Sequence, residues 1–250
     1  MSHLFTVFLL QPILNLLIWL YGFLPGHDIG FAIIFVTIIV KTILYPLTQA
    51  QLRQQRALQA LQPKIEEVRT RLKDDKEGQA RELMALYAKE KVNPAASCLP
   101  LVVQLPVFIA LYQALSIGLK STDFGNLLYP FVANPHTINT RFLGLLDLTH
   151  PSYVLAILAA LVQFWQTRQM LKPPGAITPP PEAVAKSDGA KDESMSAMMN
   201  KQMMYMMPVL TAVIGFSLPG GLALYWLTMS VLTVAQQAWL LKKHPLTSVV

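Results

Sequence analysis

Residues 29–48, IGFAIIFVTIIVKTILYPLT, make an apolar run of membrane length with a lysine, Lys41, set inside it. About twenty apolar residues in helix cross a hydrocarbon core of roughly 30 Å. A lysine near mid-membrane costs at least about 2.5–3.5 kcal/mol on insertion scales, so such a residue normally faces a polar cavity or a partner. The alternative is snorkelling, in which the long stem lifts the ammonium toward the Thr48 end of the run. A wet cavity is the favoured reading. It makes Lys41 the first candidate site residue.

The rest of the chain is of the same kind. At 53% hydrophobic and 14% charged residues, with a mean hydropathy of +0.42, these 250 residues are too apolar for an ordinary soluble domain. They read as an all-α, polytopic membrane protein. The net charge of +6 is concentrated in particular segments, which points to membrane topology rather than to recognition of nucleic acid. The single cysteine, Cys98, excludes an internal disulfide and has no Cys or His at metal-ligand spacing.

Residues 1–28 comprise an apolar segment and a turn. The segment lacks the basic start and small-residue cleavage site of a secretory signal, so it is expected to be retained. Pro12 with Gln11 and Asn15 argues for a helix lying in the interface, Trp19 and Tyr21 at headgroup level; a full span is the alternative. The first predicted span is 29–48. Residues 49–98 then carry ten Lys and Arg against seven acids up to Lys91, and read as a charged helical hairpin. Leu58, Leu61, Ile65, Val68 and Leu72 form one stripe, Leu83, Leu86 and Tyr87 the other, with a corner at Asp74-Asp75-Lys76 and a break at Pro63. Further spans are predicted at 99–119, 152–171, 203–218 and 221–241, the last two divided by Leu218-Pro219-Gly220-Gly221. Between them lie a turn-rich connection, 120–151, and a Pro-rich stretch, 172–202, expected to be a flexible linker; 242–250 is a short tail.

Five spans put the termini on opposite sides. Because the 120–151 connection holds only Lys120 and Arg141, whereas hairpin, linker and tail are basic, the hairpin and C-terminus are expected in the cytoplasm and the N-terminus outside.

Covalent chemistry has no candidates. The histidines lie outside the predicted spans, no serine or cysteine has a plausible neighbouring base, and no phosphate loop or HExxH-type metal motif occurs. The chain reads as a non-enzyme without cofactor or metal. What remains are polar side chains inside spans: Thr37, Lys41 and Thr42, then Gln104 and Gln113, then Gln163 and Gln166, then Ser230, Thr233, Gln236 and Gln237. Ordinary interhelical hydrogen bonds explain most such residues at roughly 0.6 kcal/mol each. Only Lys41 demands water.

Several stretches together resemble the YidC-type membrane protein insertases, whose relatives work in mitochondria and chloroplasts: LYPLT, QALQPKI, ELMALY, VNP, CLPLVVQLPVFIALYQAL, MMYMMPVL and LPGGLALYW. The resemblance covers most of residues 29–240. It implies a five-helix core with a cytoplasmic hairpin in a bacterial inner membrane, and a hydrophilic groove open to cytoplasm and lipid but closed outside. It implies a basic groove residue at Lys41, where many relatives have arginine, an aromatic one at Trp226 and a polar one at Gln163 or Gln166; Gln104 joins them as a polar residue of the second span. Implied partners are newly made membrane proteins and lipid, with the Sec translocon and the ribosome as further possibilities. The family's large outer domain and N-terminal lipid-anchor cysteine have no counterpart here, and the short tail after Leu241 argues against a C-terminal ribosome contact.

A groove reaching about half-way would shorten the hydrocarbon path over which a client's polar segment is desolvated, and Lys41 would attract acidic residues. The rival readings are a small transporter or channel and a purely structural assembly chaperone. Against the former, the two halves show no paired interrupted helices.

Overall fold

A computed structural model describes residues 3–93, 99–120, 124–171 and 205–243. These are overwhelmingly helical. Cys98, the 172–202 linker and the end of the tail lie outside the described residues.

Helix α1, His3–Phe23, continues without a break past Pro12. A π-turn over Thr6–Leu10 explains how: the Gln11 N–H donates to the Thr6 carbonyl, and the widened turn makes room for the proline ring. Leu14, Leu17 and Ile18 are buried along one side of α1, while Trp19 and Phe23 stack on each other and stay exposed. The helix is thus half embedded in the protein rather than interrupted at Pro12.

Helix α2, Ile29–Ile43, starts where the Asp28 carboxylate accepts the Gly30 N–H at 2.7 Å, an N-cap. The predicted first span ran on to Thr48. The helix instead ends at Leu44, and α3, Tyr45–Ala60, leaves at 68° to it. Pro46 is the physical reason, having no N–H for the Thr42 carbonyl and a ring that collides with the preceding turn. Pro63 acts likewise at the start of α4, Gln62–Arg71, which folds back through Leu72 to Asp75 onto α5, Lys76–Lys89. Lys64 pairs with Glu90 at 2.6 Å and Arg71 with Glu82, so the two helices run antiparallel. Leu61, Ile65 and Val92, flanked by Leu58, Leu83, Leu86 and Tyr87, form a small apolar cluster of their own.

Helices α6, Leu99–Lys120, α7, Tyr153–Leu171, α8, Tyr205–Gly215, and α9, Gly220–Lys243, complete the bundle. Ala110 and Ala114 on α6 are fully buried, and a Cβ on Gly221 would come within 3.3 Å of Ile33 and 3.5 Å of Leu115. Small residues at these points let α2, α6 and α9 approach closely, which is how helices associate where hydrophobicity supplies no drive. The main core joins them to α1 through Leu14, Leu17, Ile33, Val36, Leu111, Leu222 and Tyr225.

The connection between α6 and α7 is not irregular throughout. Strands β1, Arg141–Phe142, and β2, Leu146–Asp147, pair antiparallel, with Phe142 opposite Leu146. Three side chains fasten this connection to the helices. Asn15 donates to the Leu127 carbonyl at 2.8 Å and accepts the Tyr129 N–H at 2.6 Å, and the Tyr21 hydroxyl accepts the Asn139 N–H at 2.8 Å. The second oxygen of Asp28 accepts the Leu143 N–H at 2.7 Å. The Gly220 and Gly221 N–H groups donate to the His150 and Leu148 carbonyls, so the same connection caps α9.

By length and composition, α1 is the described helix able to cross a membrane by itself, and α2 with α3 would qualify as one broken span. Val102–Gly118 and Tyr205–Gly215 are apolar but shorter.

Candidate functional site

Lys41 is buried between α2 and α9. Its ammonium donates to the Thr233 hydroxyl at 2.7 Å, and that hydroxyl spends its own proton on the Met229 carbonyl at 2.8 Å. The geometry suits the chemistry, because an ammonium only donates and needs an oxygen with a free lone pair. Among the described residues no carboxylate lies within ion-pair distance of it, and its other two protons have no protein acceptor. Thr37 and Thr42, the other polar residues of this helix, bond their own backbone at Ile33 and Ile38 and take no part.

Thr233 belongs to a stripe. Trp226, Ser230, Thr233 and Gln237 recur at four, three and four residues, which places them on one side of α9. Beyond Lys41 the stripe meets α3: Gln236 donates to the Thr48 hydroxyl at 3.2 Å, and Arg56 donates to the Gln237 carbonyl at 3.0 Å. Partial burial lowers the Arg56 pKa, yet arginine stays charged at any relevant pH. Close to these contacts, buried amide atoms have no hydrogen-bond partner among the described residues: Gln51 Nε2, Gln54 Oε1, Gln236 Oε1 and both polar atoms of Gln237. Gln51 is 5% and Gln237 3% exposed. Leaving a buried polar group unpaired costs about 1–3 kcal/mol. Several in one region of an apolar bundle mark a place suited to water or to a polar guest.

The other predicted site residues divide. Gln104 donates to the Tyr225 hydroxyl, and Phe108 packs edge-on against Trp226 at 5.9 Å, so Gln104 and Trp226 come together through adjacent residues of α9. Gln163 accepts from Thr211 at 2.5 Å in the α7–α8 contact, and Gln166 is half-buried; among the described residues no hydrogen bond joins either to Lys41. Sequence reasoning missed Gln51, Gln54, Arg56 and Tyr225. The spacing of Gln51 and Gln54 at i, i+3 on a helix next to the span was the available signal.

The sequence profile of the 60Kd inner membrane protein family matches residues 19–247. The chain belongs to that family. Its members are insertases, not enzymes, and inner-membrane proteins. The fold is similar to the crystal structure of an active YidC insertase with its first transmembrane domain resolved, at a TM-score of 0.54 and 25% identity over 92% of this chain. The chain spans 45% of that structure's length.

Proposed function

We propose that this chain is a membrane insertase that moves client proteins from the cytoplasm into the bilayer through a hydrophilic groove built around Lys41, Gln104 and Trp226. Family membership supports the class of activity. The observation that carries the groove is the burial of Lys41 and of unpaired glutamine amides inside an apolar bundle, because hydrocarbon alone would not tolerate them. The proposed groove also takes in Gln163 and Gln166 on α7. In this reading α2, α6, α7, α8 and α9 are the five spans, α1 lies in the outer interface, and α4 with α5 is a cytoplasmic hairpin. The N-terminus is outside and the C-terminus cytoplasmic. Clients and lipid are the direct partners; the Sec translocon and the ribosome are candidates for recruitment by the hairpin.

Mechanistically, a groove that admits water part-way into the membrane reduces the desolvation a client's polar segment must undergo. Lys41 attracts acidic residues of that segment, while the exposed apolar sides of α7 and α9 let the client's apolar segment pass into lipid. Reconstitution of the full chain in liposomes with a single-span client tests this. Insertion above protein-free liposomes is the expected result; solute flux without insertion would make it a transporter or channel.

A further inference from the structure

The turn between β1 and β2 is made by Leu143 and Gly144, both with positive φ, 53° and 71°. Two left-handed residues in a row are the usual hairpin turn, which Asn-Gly or Gly-Gly fill readily. A leucine there is strained, because its Cβ crowds the following carbonyl. Packing within the chain does not compensate: Leu143 is 59% and Leu145 84% exposed.

Nor is the hairpin loose. Asp28 holds the Leu143 N–H, Leu148 is fully buried and donates its N–H to Thr140 at 2.9 Å, and the Phe142 ring covers Gly30, where any Cβ would collide with it. The chain thus presents an apolar tip on a rigid support. Its position says what it meets. Phe142 packs edge-on against Phe31 at 5.5 Å, and Phe31 begins an exposed stripe with Phe35 and Ile38, at i, i+4 and i+7 along α2. On the outside of a bundle from an inner-membrane family, such a stripe faces lipid. The leucine tip continues it past the first turn of α2. The exposed Trp19–Phe23 stack lies on α1, which Tyr21 ties to Asn139 of the same connection. Aromatic residues in such a position mark the membrane interface.

We propose that the Leu143-Gly144-Leu145 tip is a lipid anchor, seated at the boundary of headgroups and acyl chains in the leaflet where α2 begins, and that it fixes the depth of α2. The inference rests on the membrane reading of the family, not on the groove. It is tested with Leu145→Cys in a Cys98→Ala background, the full chain labelled with an environment-sensitive fluorophore and reconstituted in phosphatidylethanolamine–phosphatidylglycerol vesicles. Blue-shifted emission, quenched by lipid spin-labelled near the headgroup, is expected. Water-like, unquenched emission in these vesicles overturns the proposal, including the case in which the label is shielded only in native membranes, for then a protein neighbour covers the tip. Leu143→Asn, which suits the turn, should leave the thermal midpoint in detergent unchanged or higher while weakening the quenching; a lower midpoint with quenching intact would make the leucine structural and contradict the anchor. Insertion measured in the same vesicles reports separately on the proposed function, since a seated tip without insertion would contradict only that.

Discussion

Among the described residues Lys41 is held by one hydroxyl and no carboxylate, so the bundle bears the desolvation of a charge that these residues do not neutralise. A buried charge without an opposite partner carries a desolvation cost that an apolar side chain of similar volume does not. Lys41→Met is therefore expected to raise the thermal midpoint in detergent while lowering insertion, a pairing that scanning calorimetry and a liposome assay together check. A lower midpoint would make Lys41 a structural residue. Thr233→Val, which removes the ammonium's acceptor, should destabilise by about 1–3 kcal/mol with lysine at 41 and by much less with methionine there. A double-mutant cycle of unfolding measures that coupling. At this scale the sequence was legible where a residue broke its surroundings, as a lysine does in an apolar run. It marked Thr233 as one polar residue of its span but not as the partner of Lys41, because a threonine on a helix usually bonds its own backbone, and nothing in one chain reveals a partner 192 residues away.

Among the elements, α4 and α5 are packed mainly on each other through Leu61, Ile65 and Val92, apart from the core formed by the other helices. Deleting residues 63–90 is expected to leave a folded, membrane-inserted bundle with reduced insertion, judged by calorimetry and by protease protection; unfolding of the bundle would show the pair to be structural. The pair should also respond to acid. The Lys64 hydrogen bond and charge hold the Glu90 carboxyl below its ordinary pKa, so that contribution is complete above the ordinary carboxylate range and is lost as pH falls through the lowered value. Glu90 is solvent-accessible, which keeps the effect small. The protection of α4 and α5 amides from hydrogen exchange, corrected for the intrinsic pH dependence of exchange, should fall below the carboxylate range and not between neutral and mildly acidic pH. The hairpin was legible from its two apolar stripes and its Asp74-Asp75-Lys76 corner. The bend at Leu44 was not, because apolar length carried the reading past Pro46 into a charged helix, and the leucine tip was hidden inside a connection whose turn residues gave no strand signal.

In the whole molecule α9 is the common wall: it meets α7 along its length, α2 at Lys41 and α6 at Tyr225. No periodicity within one helix tells which neighbour it will face, so the groove was legible only as a set of polar residues, of which Lys41, Gln104 and Trp226 gather around α9 and Gln163 turns to Thr211. The functional claim rests on what Lys41 offers a client. Two charges about 4 Å apart attract by about 4 kcal/mol at an effective dielectric near 20 and by about 1 kcal/mol in water, and a hydrated groove lies between these limits. The direct measurement is insertion into liposomes of two single-span clients that differ only in the outer segment, one acidic and one neutral, by the wild type, Lys41→Arg and Lys41→Glu. We expect Lys41→Arg to retain most insertion of both, and Lys41→Glu to impair the acidic client severely and the neutral one mildly. Equal insertion of both clients by Lys41→Glu and the wild type would contradict a client-binding groove at Lys41.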